Sequence, residues 1–571
     1  MMSSTMRIAL LFSLSVGTVG AAPPQNGCSS IDLDQGWSRS QSEEFWFTSQ
    51  GSRLMPYSWF LALEVASPAS QALFRDRSNM ERFGYIWVGP SALNPDDLPI
   101  GFAKDVASTG ATYVGFTCAA CHTGALNIGG KPVIVEGGPA LADFWTFLTE
   151  AVAALNVTFN DPSKFDRFSK KVLNSTSPAA HDVGELRQQM KAKLDDLQTR
   201  LSQNTPKNPS GDGRVDAFGH IFTRLLAQDL GVPENAKPPY APEVAAPVSY
   251  PFLWDTPQHD VVQWNGSAPN SRVLSLGPLG RNIGEVIGVF GELEVIPGRR
   301  IPFWPYLLSQ PQFKSSANIP NLIRLEDMVK TLWSPAWPKA CIPLANAAIL
   351  ARGKKLYEAN CIKCHAILDG QQRKDPNRQI TANMQPLPVV LTDPTMAMNF
   401  AARRAKTGPL QDSHNLIKLD KFGPEASGHD ILLTAVTRTI FDNGGPPVEL
   451  SSLKINVATE LAGFKKALEA AQTPRYKARP LNGIWATAPY LHNGSVPTLW
   501  DLLNPTKERP AVFFVGSRDF DPKKVGLTTK EVPNSFRFNT SAQGNWNNGH
   551  EFGTGLPQKD KQDLLEFLKS L

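Results

Sequence analysis

Two pentapeptides constrain this chain more than anything else in it: Cys118-Ala119-Ala120-Cys121-His122 and Cys361-Ile362-Lys363-Cys364-His365. C-x-x-C-H is the attachment signature of c-type haem. The spacing has a mechanical reason. Two thiols one helical turn apart can add to the two vinyl groups on one edge of a porphyrin, and the histidine that follows then lies under the ring and binds iron through its imidazole. A single chance match in such a chain is expected on the order of 10⁻³ times, so two chance copies are negligible. A zinc site is the first alternative, but it needs two further ligands beside each pair. A thioredoxin-like redox pair is the second, but it does not call for a histidine after the motif twice.

The rest of the composition is that of an ordinary globular protein. The chain has 571 residues, of which 42% are hydrophobic and 19% charged. Its 57 basic and 52 acidic residues leave a net charge of +5, too weak and dispersed to argue for nucleic acid. No apolar run reaches the ~18–20 residues of a membrane span. The first 21 residues read as a secretory signal: Arg7, a short apolar stretch from Ile8 to Val19, and a small-residue cleavage site at Val19-Gly20-Ala21. Cys28 lies too far past that stretch for a lipoprotein. A periplasmic or secreted location follows, and it agrees with covalent haem, which is attached after export. In an oxidising compartment the two remaining cysteines, Cys28 and Cys341, are candidates to pair.

The expected fold is mainly α, with two cytochrome c-type haem domains. Residues 22–339 would form an N-terminal domain enlarged by long loop-rich insertions, and 340–571 a C-terminal one. Ala347 to Tyr357 has helical spacing and leads into the second motif. Leu564, Leu565, Phe567, Leu568 and Leu571 share one face of a closing helix at 561–571, which should pack across it. Leu186, Met190, Leu194, Leu197 and Leu201 predict a helix over 183–202. Residues 203–215, and the proline-rich 233–249, read as exposed loops.

Each iron has a second axial position. A side chain there makes an electron-transfer haem; an open position binds oxygen or peroxide. His492 and His550, both ahead of the closing helix, sit where a cytochrome c domain brings its distal ligand. Met384, Met396 and Met398 are rivals.

The two haem motifs together with Ala488-Pro489-Tyr490-Leu491-His492-Asn493-Gly494-Ser495 resemble the di-haem cytochrome c peroxidase superfamily. Further stretches resemble its rubber oxygenase-like branch, which holds polyisoprene-cleaving oxygenases and related bacterial di-haem fatty acid dioxygenases. They are Gln50 to Tyr57, Leu98 to Phe102, Phe252 to Gln258 and Gly280 to Val286. The resemblance implies a reactive haem on His122 with an open distal side, and a six-coordinate electron-transfer haem on His365. It implies His550 as the second ligand of the latter and a pocket-supporting role for His492. It also implies an apolar, aromatic-crowded distal pocket. The matching residues here are His220, Trp264, Glu285 and either Ile287 or Phe290.

Three functions follow. The first is an oxygenase using dioxygen at the His122 haem on a double bond, or the allylic position beside it, of a long apolar substrate such as an unsaturated fatty acid or polyisoprene. The second is a hydrogen peroxide-reducing peroxidase with Glu285, Gln263 or His220 as acid/base, served by a small electron-donor protein. The third is an electron carrier. Trp333 and Trp337 are candidate relays between the haems.

Overall fold

The computed structural model describes residues 31–230, 245–270, 276–298, 310–415, 420–445 and 473–571. The secretory signal, Cys28 and most of the proline-rich 233–249 segment lie outside the described residues. Cys341 is disulfide-bonded. Among the described residues no helix is long and apolar enough to cross a membrane.

The fold is mixed α/β, which overturns the mainly α expectation. Among the described residues helices account for 39% and strands for 17%. The strands form one three-stranded and eight two-stranded sheets among the described residues, every one antiparallel. The physical reason is local. Thr123–Ile128 and Lys131–Glu136 pair as a hairpin on either side of Gly129-Gly130. Both glycines have positive φ, 57° and 81°, as a tight hairpin turn requires. Val133, Ile134 and Val135 are β-branched, and residues of the run are alternately buried. That hairpin follows the first haem motif directly. On the other side, strand Thr112–Phe116 runs into Cys118 and pairs with Phe102–Val106 in the register Phe102↔Phe116.

The chain around this motif is packed by helices. Asp143 caps Phe144–Asn160, its side chain accepting from the Thr146 N–H. That helix packs on Pro162–Val172 and on Ala180–Asn204. The last of these buries Leu186, Met190, Leu194 and Leu197, on the face their spacing marks. Phe60, Phe102, Phe116, Phe144 and Phe147 form one aromatic core against it. Part of the supposed exposed loop 203–215 is not exposed: Ser210 to Arg214 are buried. Arg214 is the cause, because its guanidinium donates to the Ser210 carbonyl, the Asn493 carbonyl and Asn545 Oδ1 and so draws the segment inward.

A second core joins both halves of the chain. It holds Leu33, Val135, Trp254 and Leu332 together with Tyr357, Trp485, Phe513 and Leu564. Within it helix Ala347–Asn360, leading to the second haem motif, crosses helix Gln558–Lys569. They meet at Gly353, where a Cβ would lie 2.1 Å from the Asp563 carbonyl oxygen and 2.7 Å from Phe567 Cβ. Lys561, Asp563 and Lys569 of the closing helix are buried too, and Arg352 pairs with Asp563 at 2.7 Å. Gly353→Ala should therefore force the helices apart and cost about 1–3 kcal/mol, read as a lower melting temperature than wild type.

Candidate haem centres

The turn Cys118–His122 stands at one wall of an interior cavity of about 150 Å³. One water needs about 10–15 Å³ on that scale, so the space suits a group far larger than a few waters. Cys118, Cys121 and His122 all line it. His122 Nδ1 lies 2.8 Å from the Pro251 carbonyl oxygen. A carbonyl can only accept, so Nδ1 carries the proton and Nε2 keeps its lone pair for a metal. Burial pushes the His122 pKa down to about 4, which keeps the imidazole in the neutral, metal-binding form. Burial pushes both thiols of this motif up to about 12 and Cys361 up to about 11. A redox-active pair needs the opposite shift, toward thiolate. Among the described residues no group of three or more His, Cys, Asp or Glu is arranged to hold a bare metal ion, so neither pair has the further ligands that zinc requires. The residues present fit a c-type haem.

The structure brings some of the residues expected on the distal side to this cavity and leaves others away from it. His220, Trp264 and Glu285 line the cavity; Ile287 and Phe290 do not. Helix Leu276–Gly288 explains the split. It turns Arg281, Glu285 and Gly288 to the cavity, and Ile283, Val286 and Ile287 into a separate core with Phe222 and Leu225. Phe290, at φ 72°, packs its ring on Phe116 and Phe144, under the Arg200 guanidinium 4.1 Å away. His220 is buried between Phe144 and Trp145, with ring centroids 5.4 and 6.1 Å away, and its Nδ1 has no partner. Burial, and then Arg200, push its pKa down to about 3. Glu285 accepts a 3.1 Å hydrogen bond from Gln263 Nε2, and burial raises its pKa. Trp264 donates its indole N–H to the Ser249 carbonyl at 2.9 Å. Arg281, Lys477 and Arg479 also face the cavity, so it carries more charge than an aromatic-crowded pocket would. Gln263, a candidate from the sequence, stands at a bend with φ 68°. Lys477 lies in the short strand Arg475–Ala478 with no motif of its own, and only the fold brings it here.

The second motif has the same internal design. His365 Nδ1 lies 2.7 Å from the Arg479 carbonyl oxygen, and its own carbonyl accepts from the Tyr357 hydroxyl at 2.8 Å. Burial lowers its pKa as well. Across from it stands His550, ring centroids 6.1 Å apart. With metal–nitrogen bonds of about 2.0–2.1 Å, imidazoles on opposite faces of one iron have centroids roughly 6 Å apart. The His550 loop is rigidly held. Gly549, at φ 72°, sits where a Cβ would be 2.2 Å from the Leu391 carbonyl carbon. The His550 N–H donates to Val390 at 2.7 Å, and Arg509 Nη1 donates to the carbonyls of Asn547 and Gly549 at 2.6 and 2.8 Å. Burial, then the nearby His365 and Arg509, push the His550 pKa down to about 3.

The rival ligands are elsewhere. His492 stacks on Tyr476 with centroids 4.0 Å apart, and its carbonyl accepts from the Ser249 N–H. Met384 abuts Gly266, Met396 is core, and Met398 is half-exposed. His122 differs from His365 in one respect. Among the described residues its only ring neighbour is Tyr250, at 6.5 Å, and no second imidazole is in ring contact with it.

The RoxA-like, cytochrome c-like family matches residues 475–514, the stretch containing Arg479 and His492. Together with the site geometry, this cytochrome c-like match suggests a haem-based oxidoreductase function. The chain is 32% identical to the uncharacterized protein y4iJ of Sinorhizobium fredii (strain NBRC 101917 / NGR234) over an alignment of 599 residues, covering 94% of this chain and 93% of that protein. It is 24% identical to the uncharacterized protein y4iM of the same organism over 388 residues, 63% of this chain and 72% of that one. The chain belongs to the family of y4iJ.

His220 gives a pH prediction. Its pKa is about 3 folded and about 6.5 unfolded, so between those values the unfolded chain binds a proton that the folded chain does not. Its contribution to stability is complete above pH ~6.5 and falls as pH drops toward 3. His220→Leu should lose less stability than wild type between pH 7 and pH 5, measured as urea midpoints.

Proposed function

We propose that the chain is an exported di-haem oxygenase that reacts at the His122 site and relays electrons through the His365 site. The observation that supports this is the asymmetry of the two histidines: His365 has His550 across a haem-thick gap, whereas His122 borders a cavity and, among the described residues, has no second imidazole in ring contact with it. A c-type haem held at each motif would supply the iron that activates dioxygen or peroxide at an open position, and one-electron transfer at a closed one.

The chain's own part is to bind, orient and keep water out. Phe116, Phe144, Ile221, Val248, Val262 and Val289 make an apolar wall that suits an unsaturated chain, a fatty acid or polyisoprene segment. His220, whose pKa burial and then Arg200 push down to about 3, would offer a neutral imidazole, as a hydrogen-bond donor or acceptor, to whatever occupies the cavity. Trp264, its indole fixed on Ser249, gives the cavity a rigid side. In an oxygenase both atoms of dioxygen end in the product, as two carbonyls on cleavage or as a hydroperoxide at the allylic carbon. No reductant is then consumed.

The buried Gln263–Glu285 pair favours a second reading, peroxide reduction. A glutamic acid held toward its neutral form by burial can give a proton to a leaving hydroxide, and Gln263 fixes its orientation. Electrons would then come from a small donor protein.

Oxygen uptake and product mass, followed together with linoleate or polyisoprene and no reductant, should rise in step. Turnover of hydrogen peroxide with a reduced donor, and no oxygen uptake, would replace this reading with the second. In that case Glu285→Gln should slow peroxide turnover by about 10²–10⁴-fold. Independently, His550→Ala should convert one haem from low-spin to high-spin in the visible spectrum, and His492→Ala should not.

A further inference from the structure

His122 and His365 lie far apart in sequence, yet the carbonyls that accept their Nδ1 protons belong to one bonded patch. Pro251 accepts from His122, and Arg479 accepts from His365. The Arg479 side chain then reaches back to the first carbonyl's neighbours. Its Nη1 donates to the Phe252 carbonyl at 2.9 Å and its Nη2 to the Trp254 carbonyl at 2.7 Å. The guanidinium carbon lies 3.5 Å from the centroid of the Phe252 ring, which itself stacks on Trp254 at 4.5 Å. Arg479 is buried, and no carboxylate forms an ion pair with it among the described residues. Asp255, whose charge acts on the guanidinium against the lowering effect of burial, is itself paired with Arg378.

We propose that Arg479 is a positioning residue that couples the two haem sites, its backbone holding His365 and its guanidinium holding the Phe252–Trp254 segment whose preceding carbonyl holds His122. The inference rests on the two-haem reading above.

Two physical effects act through it. The first is mechanical. The hydrogen bond from Nδ1 tunes how strongly a histidine donates to iron, and its strength depends on the iron's charge. A change at His365 therefore moves the Arg479 carbonyl, and the planar two-pronged guanidinium passes the displacement to the peptide next to Pro251. The second is electrostatic. A buried positive charge without a carboxylate partner favours the more negative, reduced state of both sites. The two effects separate by substitution. Lysine keeps the charge and loses the fork; glutamine loses the charge and the fork.

The test uses the full-length holoprotein, titrated stepwise with dithionite and followed by visible spectroscopy, for wild type, Arg479→Lys and Arg479→Gln. Haem content by the pyridine haemochrome assay is measured alongside. In wild type the absorption of the still-oxidised His122 site should shift while the His365 site takes its electron. Arg479→Lys should keep both midpoint potentials near wild type and lose that shift. Arg479→Gln should lose the shift and lower both midpoints. Two haems per chain with no shift in wild type, or with the shift intact in Arg479→Lys, would overturn the coupling and leave the two-haem reading standing. One haem per chain in wild type would sink both. If Arg479→Gln does not fold, the lysine variant decides alone.

Discussion

Everything else in this molecule depends on two hydrogen bonds from histidine to backbone. His122 gives its Nδ1 proton to Pro251, and His365 gives its own to Arg479. Each bond sets the tautomer, aims the free Nε2, and makes the imidazole a better ligand. Burial then favours the neutral form of both rings. Neither acceptor is local: Pro251 lies far along the chain from His122, and Arg479 far from His365. The segments 250–256 and 475–483 must therefore be placed accurately, and the second core does this. Trp254 donates its indole N–H to the Asn482 carbonyl, and Asn482 Nδ2 donates to Asp255, which also pairs with Arg378.

The two sites use this shared framework differently. At His365 the chain returns a second imidazole on a loop locked by Gly549, Val390 and Arg509. At His122 it returns a cavity in which one wall is apolar and the other carries Glu285, Gln263, Arg281 and Lys477. A closed site beside an open one is the arrangement by which one centre stores or passes an electron while the other reacts. The mixed polarity of the open site is why both oxygen insertion and peroxide reduction have a physical argument, and why the Gln263–Glu285 pair matters most for choosing between them.

The attachment motifs were legible because covalent chemistry dictates their spacing within five residues. The helices at 180–204 and 558–569 were legible for a similar reason, since their apolar periodicity is local. The strands were missed although one signal was present: two β-prone runs around Gly129-Gly130 form a standard hairpin pattern. The distal pocket was less legible. Glu285 and Ile287 are two residues apart on one helix, and only tertiary packing tells which faces the cavity. His550 and His492 have equal local plausibility. The resemblance ranks them; what separates them physically is a loop held by Leu391 and Arg509, contacts across forty residues or more that no short window of sequence contains. The burial of Ser210 to Arg214 in a polar, glycine-rich stretch was hidden for the same reason, because Arg214 finds its partners near residues 493 and 545.

The central claim is that one haem site is closed by a side chain and the other is open. Carbon monoxide titration of the fully reduced holoprotein tests it most directly, because carbon monoxide binds ferrous haem only where the sixth position is free. The account requires one carbon monoxide bound for every two haems, with the unliganded half keeping its low-spin spectrum. Binding at both haems, or at neither, would contradict it.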